Sequence, residues 1–277
     1  MKANNDPVNE GKWALMLCGG LGSRMGSLTK DCPKALLLVN GRPIIWYSFW
    51  TLYQAGVRNF ILPIGYLGHM VKQYISEISK DVNCNVYFVD TGSDSPIASR
   101  IKQVAHLIPE NQNFFLINTD TIFNFDIESM YELHIANSSL VTLSSVDIVS
   151  PWGVLTIVGD DVVGFDRDRK VQKLVSSHIA DGYGVINSGL AWINKSALNF
   201  IDFDNVIDFE TDLFGLAIRK QKISHFVLEG IWVPIDTPKD LATISYMLES
   251  SDGQIKNLYT SFQKLEALVL KEDAEHV

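Results

Sequence analysis

Short apolar, β-rich runs alternate with helix-like stretches through the first half of the chain. Trp13-Ala-Leu-Met-Leu-Cys18 is apolar throughout, the pattern of a strand buried on both faces. Pro43 to Ala55 has helical character, with Pro43 in its first turn and Gly56 as a stop. Asn59 to Ile64 predicts a second strand and Gly68 to Ile78 a second helix. Val86 to Val89, Pro96 to Leu107 and Phe114 to Ile117 continue the alternation, and Asp126 is placed to cap a helix carrying Met130, Leu133 and His134. Strands alternating with helices of this length predict βαβ units. The expected fold is therefore α/β, a Rossmann-like, doubly wound and mostly parallel mixed sheet.

After about Leu140 the rhythm changes. Leu140 to Val146, Val154 to Val158 and Val171 to Val175 predict strands separated by Gly and Asp turns, a small β-rich subdomain. Gly184 to Ile193, Ile223 to Leu228 and Ile231 to Ile235 are further strands that close the sheet region. Asn194 caps a short helix, and Phe209 to Arg219 is another. Thr237-Pro-Lys-Asp240 has the marks of a helix start: Thr at the cap, Pro first, a carboxylate third. Ile255, Leu258, Phe262, Leu265 and Leu268 then form one helical face, which packs on its own domain or meets a second copy in a homo-oligomer. The expected division is a flexible tail over 1–11, a main domain over 12–250 and a C-terminal helix over 251–277. Within the main domain a first half covers about 12–140 and a second about 141–237.

Charge and cysteine usage narrow the function. The net charge of −9 over 277 residues excludes a nucleic-acid binder, which needs a basic face. Cys18, Cys32 and Cys84 are odd in number and lack paired ligand spacing, so they are expected as free thiols in a reducing compartment. The polar stretch Met1 to Lys12 is no signal peptide, and no apolar run approaches the roughly 20 residues of a membrane span. A cytoplasmic protein with no membrane partner is expected.

The most informative segment is Leu17-Cys-Gly19-Gly20-Leu21-Gly22-Ser23-Arg24-Met25, directly after the first strand, followed by Pro33-Lys34. Successive glycines let the backbone turn tightly and bring N–H groups close to a phosphate or base. Arg24 supplies a planar fork for phosphate oxygens and Lys34 a point-like cation. The loop is not a Walker A motif, because Gly22-Ser23-Arg24 lacks the terminal Gly-Lys-Ser/Thr. Nor is it a dinucleotide fingerprint, since Met25 stands where the last glycine belongs. On these residues alone a purely structural turn remains an alternative.

Together with Leu38-Val-Asn-Gly41-Arg-Pro43-Ile, this segment resembles the opening signature of the sugar-1-phosphate nucleotidylyltransferases. The resemblance implies that the glycine loop holds a nucleoside triphosphate while Arg24 and Lys34 hold its phosphates. Asn118-Thr119-Asp120 resembles that family's first metal site, and Trp232-x-x-x-Asp236-Thr237 its second metal-binding aspartate. Asn187-Ser-Gly189 matches its Asn-x-Gly turn, which contacts the sugar. Asp90-Thr-Gly92 with Arg100-Ile-Lys102 resembles the base and triphosphate segment of the glucose-1-phosphate cytidylyltransferases, so CTP is the favoured nucleotide. The implied nucleotide-binding set is Leu17, Gly19, Gly20, Leu21, Gly22, Ser23, Arg24, Lys34, Arg100 and Thr119.

Two departures from the pattern bear on substrate. Ile97-Ala98-Ser99 replaces the subgroup's Thr-Gly-Gly, and Leu174 to Ile179 lacks the family's Glu-Lys-Pro, leaving Lys170, Lys173 and His178 as nearby cations. Loss of one charge-assisted phosphate contact is worth roughly 1.5–3 kcal/mol, enough to change an acceptor without abolishing chemistry. The implied reaction is in-line displacement of pyrophosphate from CTP by a sugar 1-phosphate or similar small phosphorylated acceptor. Asp120 and Asp236 would hold Mg²⁺, and Arg24 and Lys34 would stabilise the phosphates. Guanylyl or uridylyl transfer to a hexose or heptose phosphate is one alternative; a silent regulatory relative that binds a nucleotide sugar is another. His69, His106 and His134 are expected to be solvated or satisfied, and Trp46 and Trp50 to lie in the core.

Overall fold

A computed structural model describes residues 11–149, 154–158, 161–166, 170–171, 185–249 and 253–272 of the chain. The tail over 1–10, most of the strand expected over Val171 to Val175, Gly184, and the cations Lys173 and His178 lie outside the described residues.

The central sheet has seven strands: β1 (Lys12–Leu17), β2 (Val57–Ile64), β3 (Asn85–Asp90), β4 (Asn113–Asn118), β5 (Val141–Val146), β6 (Ile186–Asn194) and β7 (Ile223–Val227). Their spatial order is β3-β2-β1-β4-β6-β5-β7. Four neighbouring pairs are parallel, and β6 runs antiparallel to both β4 and β5. This is the doubly wound, mixed but mostly parallel α/β sheet that the alternation predicts.

The period-two alternation of β1 divides the core. Ala14 and Met16 face a cluster that contains Phe49, Trp50, Met130 and Phe262, so α1 (Ile44–Gln54), α2 (Gly68–Ser79), α4 (Ile127–Ala136) and α7 (Gln254–Glu272) share that side. Trp13 and Leu15 face a second cluster with Ile101 of α3 (Ile97–Val104) and Leu213 of α5 (Phe209–Arg219). Burial on both faces is why β1 carries no polar alternation. Trp46 and Trp50 are fully buried. Ile255, Leu258 and Phe262 of α7 are buried as well, whereas Leu268 is exposed.

Helix α1 begins at Ile44, one residue later than expected, with an extended Pro43 before it. Thr237 and Asp240 cap α6 (Pro238–Glu249) reciprocally: the Thr237 amide donates to Asp240 Oδ2 at 2.8 Å and the Asp240 amide to Thr237 Oγ1 at 3.3 Å. The last strand corrects the sequence reading. Ile231–Pro234 does not join the central sheet; it pairs antiparallel with Thr121–Asn124, a strand the pattern did not suggest, in a separate two-stranded ribbon. Among the described residues, no helix is long and apolar enough to cross a membrane, and the three cysteines are free thiols.

Candidate active site

The glycine-rich loop leaves the C-terminal end of β1, where the chain turns to opposite sides of the sheet, the position at which open α/β sheets bind ligands. The ends of β1 and β4 are tied together there. Thr119 donates to the Leu17 carbonyl from its amide at 3.2 Å and from its hydroxyl at 3.0 Å. Leu17 and Thr119 thus form the floor of the site, and the Thr119 hydroxyl proton is already engaged. A cavity of about 560 Å³ opens above them, lined by the glycine loop, Lys34, the Ser93–Ile97 segment and Asn118 to Asp120. That volume lies in the range of small-ligand pockets.

The loop glycines do different work. Gly22 takes a left-handed conformation, φ 62° and ψ 32°, ahead of the short turn Ser23–Thr29 that carries Arg24. Thr29 closes that turn by donating from its hydroxyl to the Gly22 carbonyl at 3.1 Å. A Cβ on Gly20 would meet nothing within 4 Å, so its backbone faces open cavity. A Cβ on Gly19 would lie 2.1 Å from Arg100 Nη1, so that glycine admits the arginine behind the loop.

Arg100 is only 4 % exposed. Its guanidinium donates to Thr91 Oγ1 at 2.6 Å, to the Gly19 carbonyl at 2.9 Å and to the Ser93 carbonyl at 3.0 Å. It lines the cavity, and three of its five N–H groups join the glycine loop to the segment after β3. Gly65, which the sequence reading did not single out, sits at the crossing. A Cβ there would lie 2.6 Å from the Gly92 carbonyl and 2.7 Å from that of Gly19. Three loops meet at van der Waals limits on a residue without a side chain.

On the other wall, Lys34 follows the extended Pro33 and reaches both aspartates. Its Nζ lies 2.7 Å from Asp120 Oδ2 and 2.9 Å from Asp236 Oδ1. Arg24 Nη1 lies 3.0 Å from the second oxygen of Asp236. The Lys34 side chain is 13 % exposed and that of Arg24 72 %, so the lysine is the inner cation and the arginine the rim cation. Burial works against the Asp236 carboxylate, but Lys34 and Arg24 outweigh it and hold its pKa below the ordinary range.

The ribbon explains how residues 116 positions apart in sequence come together, since Asp120 and Asp236 each flank one of its strands. Pro234 pairs with Thr121, and the Ile235 amide donates to the Asp120 carbonyl at 2.9 Å. The Asp236 amide is held from behind by Asp240 Oδ2 at 3.0 Å. Both carboxylates therefore converge on one ammonium through an antiparallel register, not through two parallel strands of the main sheet.

Asn187 and Gly189 lie just past the Ile117–Leu190 pair of β4 and β6, where the β5–β6 register shifts between Asn187 and Ala191, and neither is among the residues that line the cavity. Gly189 has φ 77°, its amide donates to Asn187 Oδ1 at 3.1 Å, and a Cβ there would lie 3.5 Å from Asn118 Nδ2. Trp232 Nε1 donates to the Ser188 carbonyl at 2.9 Å and pins the turn. Asn187 Nδ2 donates to Glu210 Oε2 at 3.2 Å. Glu210 escaped the sequence reading, because a carboxylate in the first turn of a helix has an ordinary structural explanation. His134, expected to be satisfied, is buried with Nε2 3.0 Å from Asn113 Oδ1 and Nδ1 2.9 Å from Thr142 Oγ1, away from the cavity lining.

The model of the nucleotidyl transferase family matches residues 13–251. A glucose-1-phosphate cytidylyltransferase of Salmonella typhi is 28 % identical over 263 residues, covering 88 % of this chain and 98 % of that protein. A mannose-1-phosphate guanyltransferase of Saccharomyces cerevisiae is 27 % identical over 254 residues, 89 % of this chain and 68 % of that protein. Among solved structures, HddC from Yersinia pseudotuberculosis complexed with GMP-PN superposes with a TM-score of 0.58 at 25 % identity, covering 86 % of this chain and 99 % of that one.

Proposed function

The chain belongs to the nucleotidyl transferase family, and from that premise we propose that it transfers CMP from CTP to a sugar 1-phosphate, releasing pyrophosphate. The observation that carries this reading is the convergence of Arg24, Lys34, Asp120 and Asp236 beside the glycine loop. Four charged groups from distant segments, balanced two against two, are costly to assemble unless charged ligands are to be held there.

The residues present fit a divalent cation. The Lys34 ammonium already stands between two carboxylates at 2.7 and 2.9 Å, so a cation is accommodated there by hard oxygen donors. Among the described residues, no group of three or more His, Cys, Asp or Glu could hold a metal alone. Asp120 and Asp236 would therefore hold Mg²⁺ together with phosphate oxygens and water. When bound, Mg²⁺ neutralises charge on the α-phosphate and the departing pyrophosphate.

The chain's own groups supply positioning. Gly20 and its neighbours let backbone approach the nucleotide, and Arg100 keeps that loop in register from behind. Lys34 and Arg24 turn from the aspartates to the phosphates, with the rim-exposed Arg24 on the leaving pyrophosphate. The acceptor's phosphate is already anionic at neutral pH and attacks without a general base. Asn187 and Gly189 face the sugar, which assigns about 12–140 to the nucleotide and about 141–237 to the acceptor. A cytoplasmic setting suits three free thiols.

Guanylyl transfer is the second reading, favoured by similarity to a guanyltransferase and to a protein complexed with GMP-PN. Pyrophosphate release, screened with CTP, GTP, UTP and dTTP against a panel of sugar phosphates, tests the proposal. Turnover with CTP and a hexose 1-phosphate is expected; GTP-dependent turnover would replace the base assignment. Ligand binding in calorimetry without pyrophosphate from any pair would contradict the reaction.

A further inference from the structure

Glu210 is a partly exposed carboxylate hydrogen-bonded to Asn187 of the Asn-x-Gly turn. It is the second residue of α5, directly after Phe209, which is buried in the second core cluster and anchors the helix start. Among the described residues, Glu210 makes one hydrogen bond, from Asn187 Nδ2 at 3.2 Å, and no ion pair. A carboxylate has about four lone-pair positions, and because this hydrogen bond is solvent-exposed the others are open to a bound hydroxyl. Burial first, then the neighbouring Asp208 charge, raises its pKa above the ordinary range, with Asn187 opposing. The helix does not need this charge. Asp208 already caps α5, accepting from the Thr211 amide at 2.7 Å, and Asp212 adds a second acid to the first turn.

The position of Glu210 relates it to the chemistry. Asn187 bridges its carboxylate to the Gly189 amide, and Gly189 packs against Asn118, two residues before Asp120. Trp232, four residues before Asp236, holds the middle of the same turn. The turn that adjoins the Ile117–Leu190 pair of β4 and β6 therefore presents a solvent-accessible carboxylate oxygen. A negative group there repels an acceptor's phosphate and favours the orientation in which that phosphate points away from Glu210. The N-terminus of α5 offsets part of the charge, so neutral O–H donors can complete the shell.

We propose that Glu210 sets acceptor specificity by accepting hydrogen bonds from neighbouring hydroxyls at the end of the acceptor remote from its phosphate. The acceptor class is then a phosphorylated polyhydroxy compound with a neutral distal end, and sugar acids bearing a carboxylate at that end are rejected. This rests on the nucleotidyl transfer proposed above and adds the residue that reads the acceptor.

The test compares wild type, Glu210→Gln and Glu210→Ala with the best nucleotide, the best hexose 1-phosphate and each of its monodeoxy analogues. In wild type, one or two deoxy positions should lower kcat/KM by about 10- to 100-fold, chiefly through acceptor KM, the range for a hydrogen bond to a charged group. In Glu210→Ala those penalties should collapse to within about twofold, as a double-mutant cycle requires, with the KM for nucleotide unchanged. Glu210→Gln keeps the shape and removes the buried charge, so it should melt no lower than wild type at neutral pH while losing acceptor affinity. Equal deoxy penalties in wild type and Glu210→Ala overturn the assignment and leave the reaction standing. Absence of pyrophosphate from wild type with every pair contradicts the reaction and this assignment with it.

Discussion

The amide of Ile235 donates to the carbonyl of Asp120 at 2.9 Å, and this hydrogen bond fixes where Asp236 falls. It extends the pairing of Ile231–Pro234 with Thr121–Asn124 by one step, so the residue after Ile235 emerges beside Asp120. Lys34 then meets both carboxylates from the opposite wall. A slip of one residue in that ribbon would turn the Asp236 side chain to the other face.

Lys34 occupies the position between the carboxylates, so a metal without nucleotide must compete with its ammonium. Mn²⁺ binding followed by electron paramagnetic resonance should be weak in the wild-type chain alone and strengthen when CTP draws Lys34 away. Lys34→Met should bind Mn²⁺ without nucleotide about tenfold more tightly, since two carboxylates lose their resident counter-charge. Its turnover should fall at least about 100-fold. Equal Mn²⁺ affinity in the two proteins would show that the lysine does not guard the pair.

Two glycine substitutions separate packing from ligand approach. Gly65→Ala forces a methyl against two backbone carbonyls, neither of which can rotate away, and should lower stability by about 1–3 kcal/mol. Gly20→Ala meets open space, so its melting temperature should stay near wild type while the KM for nucleotide rises. Thermal melts beside steady-state kinetics check both; a Gly20→Ala protein with unaltered nucleotide KM would remove that backbone from the binding surface.

Much of this was legible in the sequence, for identifiable reasons. The strand at Trp13 to Leu17, the caps at Asp126, Asn194 and Thr237, and the span Phe209 to Arg219 follow from local periodicity and cap chemistry. The strand Thr121–Asn124 was hidden because it follows β4 after only two residues. Gly65 illustrates a second limit. Its importance lies in a close approach to residues 19, 92 and 100, and separations of that size leave no trace in a window of neighbours. Glu210 was hidden differently, because its place at a helix start has a sufficient local explanation and only the contact with Asn187 sets it apart.

His134 gives a pH signature independent of the active site. Burial lowers its pKa to about 4, and the acceptor oxygen of Asn113 requires the proton on Nε2, with Thr142 donating to Nδ1. The unfolded chain takes up a proton near pH 6.5 and the folded chain does not until about 4. Stability should therefore fall as pH drops through that window, by on the order of 2–3 kcal/mol in total. Denaturation of His134→Gln at pH 7 and pH 5 should show a smaller difference than wild type; an equal difference would assign the acid sensitivity to other groups.

The most direct measurement is pyrophosphate release by Asp120→Asn in Mg²⁺, with circular dichroism and melting to show that the fold is kept. Asparagine preserves the shape and removes the charge that Lys34 shares with Asp236. Turnover should drop by at least about 1,000-fold while nucleotide still binds. Release at the wild-type rate from a folded Asp120→Asn protein would contradict the assignment of the paired carboxylates as the cation site of the reaction.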